Sequence, residues 1–417
     1  MTEIITIPES WKMQNILENS TLKARIGWQG LTTTEYKKTG KIYLVTGTDF
    51  KDGKIDWENC VYVDKKRYSQ DKNIQIKIDD VLVTKDGTIG KIAYVDKLPL
   101  PTTLNSGIFV IRSIKNDYLH LFLFYILSSN YFIKFLNKLK AGSTIIHLYQ
   151  KDFASFNFVV PPISEQQQII QILSNTDKLI EKLEKIIEKK KNIKQGAIQE
   201  FLTGKKRLEG FSDEWEEVKF NSLCKSFTKQ TGFDYSAHIK PKLVTTFNKY
   251  VIPFIQNKDF EAKKINFDTD YYIPEDVAND FPDILLDERC LLISISGSIG
   301  DVGIFSNLQK AFIGGAIGVA KFKNKDQLDW VMYYLLSNEG RRKLLKNIKS
   351  GAHHNLILAD IREITIPIPS LNEQLSITTI FSDMDLEIKE LEKNRDKYVM
   401  IKNGMMQKLL TGEIRVK

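Results

Sequence analysis

Disulfides, membrane spans and familiar catalytic signatures are all missing from this sequence. Cys60, Cys224 and Cys290 are the only cysteines in 417 residues. They stand far apart, so neither a disulfide framework nor a cysteine metal site is encoded. The five histidines add no metal-ligand spacing, and the adjacent pair His353 and His354 reads as a polar loop because neighbouring side chains point apart. The longest apolar runs, near 119–127 and 311–320, are too short to cross a bilayer, and no charged-then-apolar signal opens the chain. A cytoplasmic protein with no membrane partner is the expectation. No Gly-x4-Gly-Lys-Ser/Thr phosphate loop occurs, nor an Asn/Asp-Pro-Pro-aromatic run of the amino-methyltransferase kind. Pro282-Asp283 lacks the Glu-x-Lys of a nuclease centre. The expectation is therefore a protein with no catalysis and no metal of its own.

What is present is a repeat. Residues 161–208 return as 369–416 without a gap, and 20 of the 48 positions are identical. Pro161, Glu165, Gln166, Asp177, Thr203, Gly204 and Arg207 come back as Pro369, Glu373, Gln374, Asp385, Thr411, Gly412 and Arg415. The regions before them align more weakly, with Asp49, Phe50, Gly87 and Gly90 answering Asp259, Phe260, Gly297 and Gly300. The offset between the copies is constant at 208 residues, the length of a whole domain plus a helix, which is too long for a solenoid period and indicates a duplicated module.

Within each repeat, apolar residues fall at steps of three and four. Ile169, Ile172, Leu173, Ile180, Leu183, Ile187, Ile193 and Phe201 form one stripe; Ile377, Ile380, Phe381, Ile388, Leu391, Ile401 and Leu409 form the other. Ser164 and Asn372 are placed as N-caps, Gln167 completes a capping box with Ser164, and Glu165 and Glu373 suit the positive dipole end. Thr203-Gly204 and Thr411-Gly412 supply the stops. Each helix spans about 40 residues, or roughly 60 Å. Two matched amphipathic helices most simply pack on each other as an antiparallel pair.

The regions 1–160 and 209–368 read as β-rich modules, each with a late helix. Strands are expected at 42–46, 81–84, 91–95 and 108–112, then at 251–255, 291–295, 302–305 and 318–322; helices are expected at 119–138 and 327–348. The fold class is α+β: two tandem, similar globular α/β domains, 1–160 and 209–368, separated by the helical spacers 161–208 and 369–417.

Net charge is +8, which points to an anionic partner. Residues 1–160 carry 22 basic against 16 acidic residues, whereas 209–368 carry 20 against 22. Phosphate neutralisation needs a locally positive face, so charge alone supports nucleic-acid binding only by the first half. The candidate contacts in the first module are Lys23, Arg25, Trp28 and Gln29, then Lys85 and Thr88 beside the Gly87 to Gly90 turn, and His147. Basic, amide, hydroxyl and aromatic groups of this kind serve phosphate contact and base-edge readout. In the second module they are Lys229, Gln230, Lys240, Ser298, His353 and His354. A polar surface loop and a tight strand connection are the plainer readings of the same segments.

Together these features resemble the specificity subunit of type I restriction-modification systems. Val160-Pro161-Pro162-Ile163-Ser164-Glu165-Gln166 and Ile368-Pro369-Ser370-Leu371-Asn372-Glu373-Gln374 carry the resemblance. So do the endings Phe201-Leu202-Thr203-Gly204 and Leu409-Leu410-Thr411-Gly412, the run from Thr84 to Lys91, the run from Ala141 to Leu148, and the openings at Trp11 and Trp215. The resemblance covers essentially the whole chain, twice. It implies two target-recognition domains, each reading one half of a gapped double-stranded DNA site, with the helices as spacer. It further implies two adenine-N6 methyltransferase subunits and two ATP-dependent endonuclease and translocase subunits as partners. S-adenosylmethionine, ATP and Mg2+ would be used by those partners, and no cofactor would be bound by this chain. The second glycine turn lacks flanking lysines, and Gly351-Ala352-His353-His354 stands where Gly-Ser-Thr-Ile is expected, which leaves the second half-site's contacts open. A non-catalytic scaffold that uses duplicated domains to bridge two proteins is the alternative.

Overall fold

The computed structural model describes residues 7–26, 30–140, 147–261, 264–306, 309–346 and 355–416. The chain divides into two compact units. The first holds residues 1–184 and 392–417, and the second holds residues 185–391. Each unit contains one module with the near half of one long helix and the far half of the other.

In the first unit a four-stranded antiparallel sheet has the order Ser20–Lys23, Ile108–Ser113, Val81–Thr84, Ile92–Tyr94. Val81–Thr84 is buried throughout, and its alternate residues serve different cores. Val81 and Val83 face Phe122, Leu123, Ile126, Ile169 and Leu173, whereas Leu82 faces Val45, Ile74, Leu104 and Val110. The two-residue period of a strand thus sorts one apolar run between two layers. The second layer is a small sheet in which Tyr43–Val45 runs parallel to Thr102–Leu104 and antiparallel to Val61–Tyr62.

The second unit repeats this plan. Its sheet has the order Cys224–Lys229, Ile317–Phe322, Cys290–Ser294, Val302–Phe305. Leu291 and Ile293 serve one core, and Cys290 and Leu292 the other. Val251–Ile255 again runs parallel to Ala311–Ile313. The three cysteines are buried and free. No helix among the described residues is long and apolar enough to cross a membrane.

The expected strands are present: 81–84, 251–255 and 302–305 have the expected ends, and the other five differ by one residue at one or both ends. The strands opening and closing each module are additional: Lys12–Asn15 pairs with Asn157–Val160, and Glu216–Lys219 with Thr365–Ile368. They are short and partly exposed, so no clean alternation marks them. The single late helix expected in each module is two helices, His120–Ser128 with Asn130–Lys140 and Leu328–Leu336 with Asn338–Leu345. Ser129 and Ser337 make the break: each hydroxyl donates back to a carbonyl of the preceding helix at 2.6 Å and accepts an amide of the next. In the second break Gly340 has no alternative, because a Cβ there would lie 1.9 Å from the Tyr334 carbonyl oxygen. Gly340→Ala is expected to cost about 3 kcal/mol through forced backbone displacement, read as a lower denaturant midpoint.

The long helices span Ile163–Phe201 and Leu371–Leu409, 39 residues each. Both begin two residues before the expected start, so Ser164 and Asn372 lie inside the first turn and do not cap it. After the helices, Gly204 and Gly412 have φ of +69° and +77°, the left-handed geometry of a helix stop. Within each unit the helix halves run antiparallel. In the first, Lys402 pairs with Asp177 at 2.5 Å, and Ile169 and Leu173 share a core with Met406 and Leu409. In the second, Lys190 pairs with Glu387 at 2.7 Å, Lys194 pairs with Asp385, and Phe201 meets Phe381 edge-on. Ile193 and Ile401 depart from the expected stripe; they are 48% and 41% exposed. Charged pairs replace apolar contact there.

Candidate nucleic-acid interface

Four loops converge at one end of each module, held by matching backbone bonds. In the first module the parallel pair Tyr43–Val45 and Thr102–Leu104 releases two turns side by side, and the Asn105 amide donates to the Val45 carbonyl at 2.9 Å. The turn after Val45 closes when the Thr46 amide donates to the Asp49 carboxylate at 2.7 Å. Lys85, entering the glycine turn, donates its amide to Gly107 at 2.8 Å, and the Lys85 carbonyl accepts from the Leu148 amide at 2.8 Å.

The second module makes the same set. Gly314 donates to Ile255 at 2.7 Å, Gln256 to the Asp259 carboxylate at 3.0 Å, Ile295 to Ala316 at 2.8 Å and Leu356 to Ile295 at 2.8 Å. Asp49 and Asp259 are both buried, and burial holds their carboxyls above the usual range. They serve as struts for the turns.

The glycine turns connect neighbouring strands with φ of +68° and +85° at Gly87 and Gly90, and +74° and +82° at Gly297 and Gly300. Only glycine meets these values at low cost. A Cβ on Gly90 would lie 2.3 Å from Leu136, so the turn also sits tightly on the helix behind it. The exposed faces carry Thr88 and Ser298.

The candidate contacts sort into three groups. Thr88, His147, Ser298 and Lys229 are exposed on or beside these loops, as is Lys85 in part. His147 Nδ1 lies 2.6 Å from Asp86, and Lys85 lies 3.8 Å from the same carboxylate, so Asp86 organises both. Lys23 and Lys240 are exposed, one at the end of an edge strand and one in a short turn. Trp28, Gln29, His353 and His354 lie outside the described residues.

Arg25 and Gln230 are the corrections, since both are interior. Arg25 is 2% exposed; its Nε donates to the Leu104 carbonyl at 2.9 Å and its Nη2 to Thr103 at 3.0 Å. Gln230 is 4% exposed and donates to the Ile313 carbonyl at 3.3 Å. Leu104 and Ile313 end equivalent strands, so the two side chains hold the same backbone joint. A polar side chain committed to a buried carbonyl is costly to withdraw, and neither is free to reach a base.

The turns next to these joints carry functional candidates that no local sequence pattern singles out. In the second module Lys229, Gln256, Asn257, Lys258 and the Gly314-Gly315 turn border a cleft of about 550 Å³. Ser294 donates to Asn257 at 2.6 Å, and the Asn257 amide nitrogen lies over Gly297, only 2.0 Å from where a Cβ would be. Thr46, Thr48, Asn105 and Ser106 stand at the corresponding places in the first module. The signal available in sequence was the repeated Asp49-Phe50 and Asp259-Phe260, three residues into each turn.

The family model of the type I restriction modification DNA specificity domain matches residues 29–195 and again residues 212–399. The chain belongs to this family. Two specificity subunits from Methanocaldococcus jannaschii align over nearly their full length. That of the type I restriction enzyme MjaVIII is 25% identical, covering 99% of both chains, and the putative MjaX subunit is 28% identical, covering 100% of this chain and 96% of that one. Among solved structures, the S subunit from M. genitalium has a TM-score of 0.58 at 15% identity and 98% coverage of each chain. A chain from a type I restriction-modification complex has a TM-score of 0.56 at 16% identity, over 98% of this chain and 100% of that one. These likenesses show that the fold of this chain is shared, over nearly its whole length, with those solved structures.

Proposed function

We infer that this chain is the DNA sequence-specificity subunit of a type I restriction-modification complex. Each module binds one half of a gapped double-stranded site, and the long helices set the separation. The observation that carries this reading is the doubling of the whole loop cluster on one backbone frame, within a chain whose two halves both match the specificity domain. Two copies of one frame with different exposed side chains suit two different half-sites.

In this reading the chain has no catalysis of its own and works in the cytoplasm. It brings two adenine-N6 methyltransferase subunits and two ATP-dependent endonuclease subunits to the site. S-adenosylmethionine, ATP and Mg2+ act in those subunits, and the target adenine would be flipped out of the duplex into the methyltransferase. Exposed lysines by the loops, such as Lys229, supply phosphate contacts that position the module without selecting sequence.

Long-read mapping of N6-methyladenine tests the reading directly. A methylation-free host expressing the chain with its cognate methyltransferase is expected to acquire one new split motif that is absent without the chain. No new motif from a soluble complex overturns it and favours a protein-bridging scaffold. A second expectation concerns Lys229→Ala. It should weaken binding to all duplexes alike and flatten the log–log salt dependence by about one unit, as measured by anisotropy titration of the complex at several salt concentrations.

A further inference from the structure

Given that function, the two modules pose a narrower question: where along a shared frame is the difference in sequence preference stored? The frame itself is invariant. The parallel strand pair, the Asp49 and Asp259 struts, the Arg25 and Gln230 joints and the glycine turns occur in both modules with the same backbone partners. Groups that perform one structural task twice cannot distinguish two half-sites.

The side chains between these fixed points do differ. On the turn after the first parallel strand, Thr46-Gly47-Thr48 in one module stands where Gln256-Asn257-Lys258 stands in the other. On the turn after the second, Asn105-Ser106 stands where Gly314-Gly315 stands. The exchange is reciprocal. Where the second module has long amides and a lysine on one turn, its other turn is bare glycine, and the 550 Å³ cleft opens between them. In the first module the first turn is short hydroxyls and glycine, and the amide is on the second turn, where Asn105 also donates to the Tyr36 hydroxyl at 3.0 Å.

Side-chain amides and lysine are the groups that read purine edges in the major groove, and bare glycine lets a base edge or backbone approach closely. We propose that these paired turns are the specificity-determining surface of each module: Gln256, Asn257 and Lys258 over Gly314-Gly315 in the second, and Thr46, Thr48, Asn105 and Ser106 in the first. Asn257 is held by Ser294 and by its seat on Gly297, so it is preorganised. Lys258 pairs with Asp270, an exposed contact that DNA can replace at small cost. Gln256 lines the cleft, and its strut to Asp259 uses the backbone amide, so removing the side chain leaves that strut in place.

The proposal rests on the specificity-subunit reading, and its test separates the two. Methylation motifs are mapped for the full chain and for Gln256→Ala, Lys258→Ala and Asn105→Ala, each with the methyltransferase partner. Gln256→Ala and Lys258→Ala are expected to relax one half-motif by about tenfold at one or two positions, while the other half and the gap stay as in the parent. Asn105→Ala should relax the opposite half. A variant that methylates nothing is taken to competition binding with duplexes altered in one half at a time. Parental discrimination at both halves in all three variants overturns the proposal, as does relaxation of the same half by Asn105→Ala and Gln256→Ala. A parent chain that yields no split motif instead removes the reading on which the proposal rests.

Discussion

Glu373→Ala is expected to destabilise the second unit by about 3 to 5 kcal/mol, the range for leaving one partner of a buried ion pair alone. Glu373 is fully buried, and Arg207 grips it with two bonds of 2.6 and 2.7 Å. The Trp215 indole donates to the same carboxylate at 3.2 Å, and the Arg207 guanidinium stacks 5.3 Å from that ring. One carboxylate thereby ties the start of the second long helix to the segment leaving the first and to the opening of the module. Removing it strands a cation and an indole donor. The first unit repeats the joint with Glu165, Arg415 and Trp11. There Arg415 is 41% exposed against 26% for Arg207, so water can take up the freed cation. Glu165→Ala should therefore cost less than Glu373→Ala. Chemical denaturation of both variants and of Arg207→Met/Glu373→Leu checks this: the double variant should recover most of the loss, and equal losses for the two single variants would show that burial of the cation is not what sets the cost.

The second large effect is a change in the DNA gap. Seven residues inserted after Glu184 together with seven after Leu391 should lengthen the spacer helices by about 10 Å, which corresponds to roughly three base pairs at 3.4 Å each. Those points fall where the chain passes between its units. The pairs Asp177–Lys402, Lys190–Glu387 and Lys194–Asp385 lie on either side of them and keep their register. Seven residues are close to two full turns, so side chains return to the same face within about 20°. The expected methylation motif keeps both half-sites and gains about three unspecified base pairs between them. Four residues in each helix add about 6 Å and 40° of rotation and should reduce activity more for less added length. An unchanged gap in an active seven-residue variant would exclude the helices as the spacer.

Much of this was legible because repetition selects for joints. Glu165, Gln166, Asp177 and Arg207 recur as Glu373, Gln374, Asp385 and Arg415, and each pair performs one task. The glutamine amides donate to Pro161 and Pro369 at 2.9 and 2.8 Å, and the aspartates accept from Tyr125 and Tyr333 at 2.8 Å. The repeat points to these positions, but a place at the positive dipole end implies a weaker role for Glu165 and Glu373 than the ion pair and indole they hold. The contact candidates were less legible. Arg25 and Gln230 have the chemistry of base readers, yet they sit inside, because an acceptor from another strand happens to need them. Gln256 and Asn105 look like ordinary turn residues and become conspicuous only when two distant turns are seen side by side.

The sequence by itself determined the duplication, the two long helices with their glycine stops, the family and the apolar strands, since all of these are written in local periodicity or in identity at a constant offset. The tertiary structure alone decided which polar side chains are interior, where serine breaks the late helices and which turns face one cleft. The reason is physical: periodicity records which face of an element is apolar, whereas the fate of a polar group depends on whether a carbonyl, a carboxylate or water meets it, and that partner comes from elsewhere in the chain.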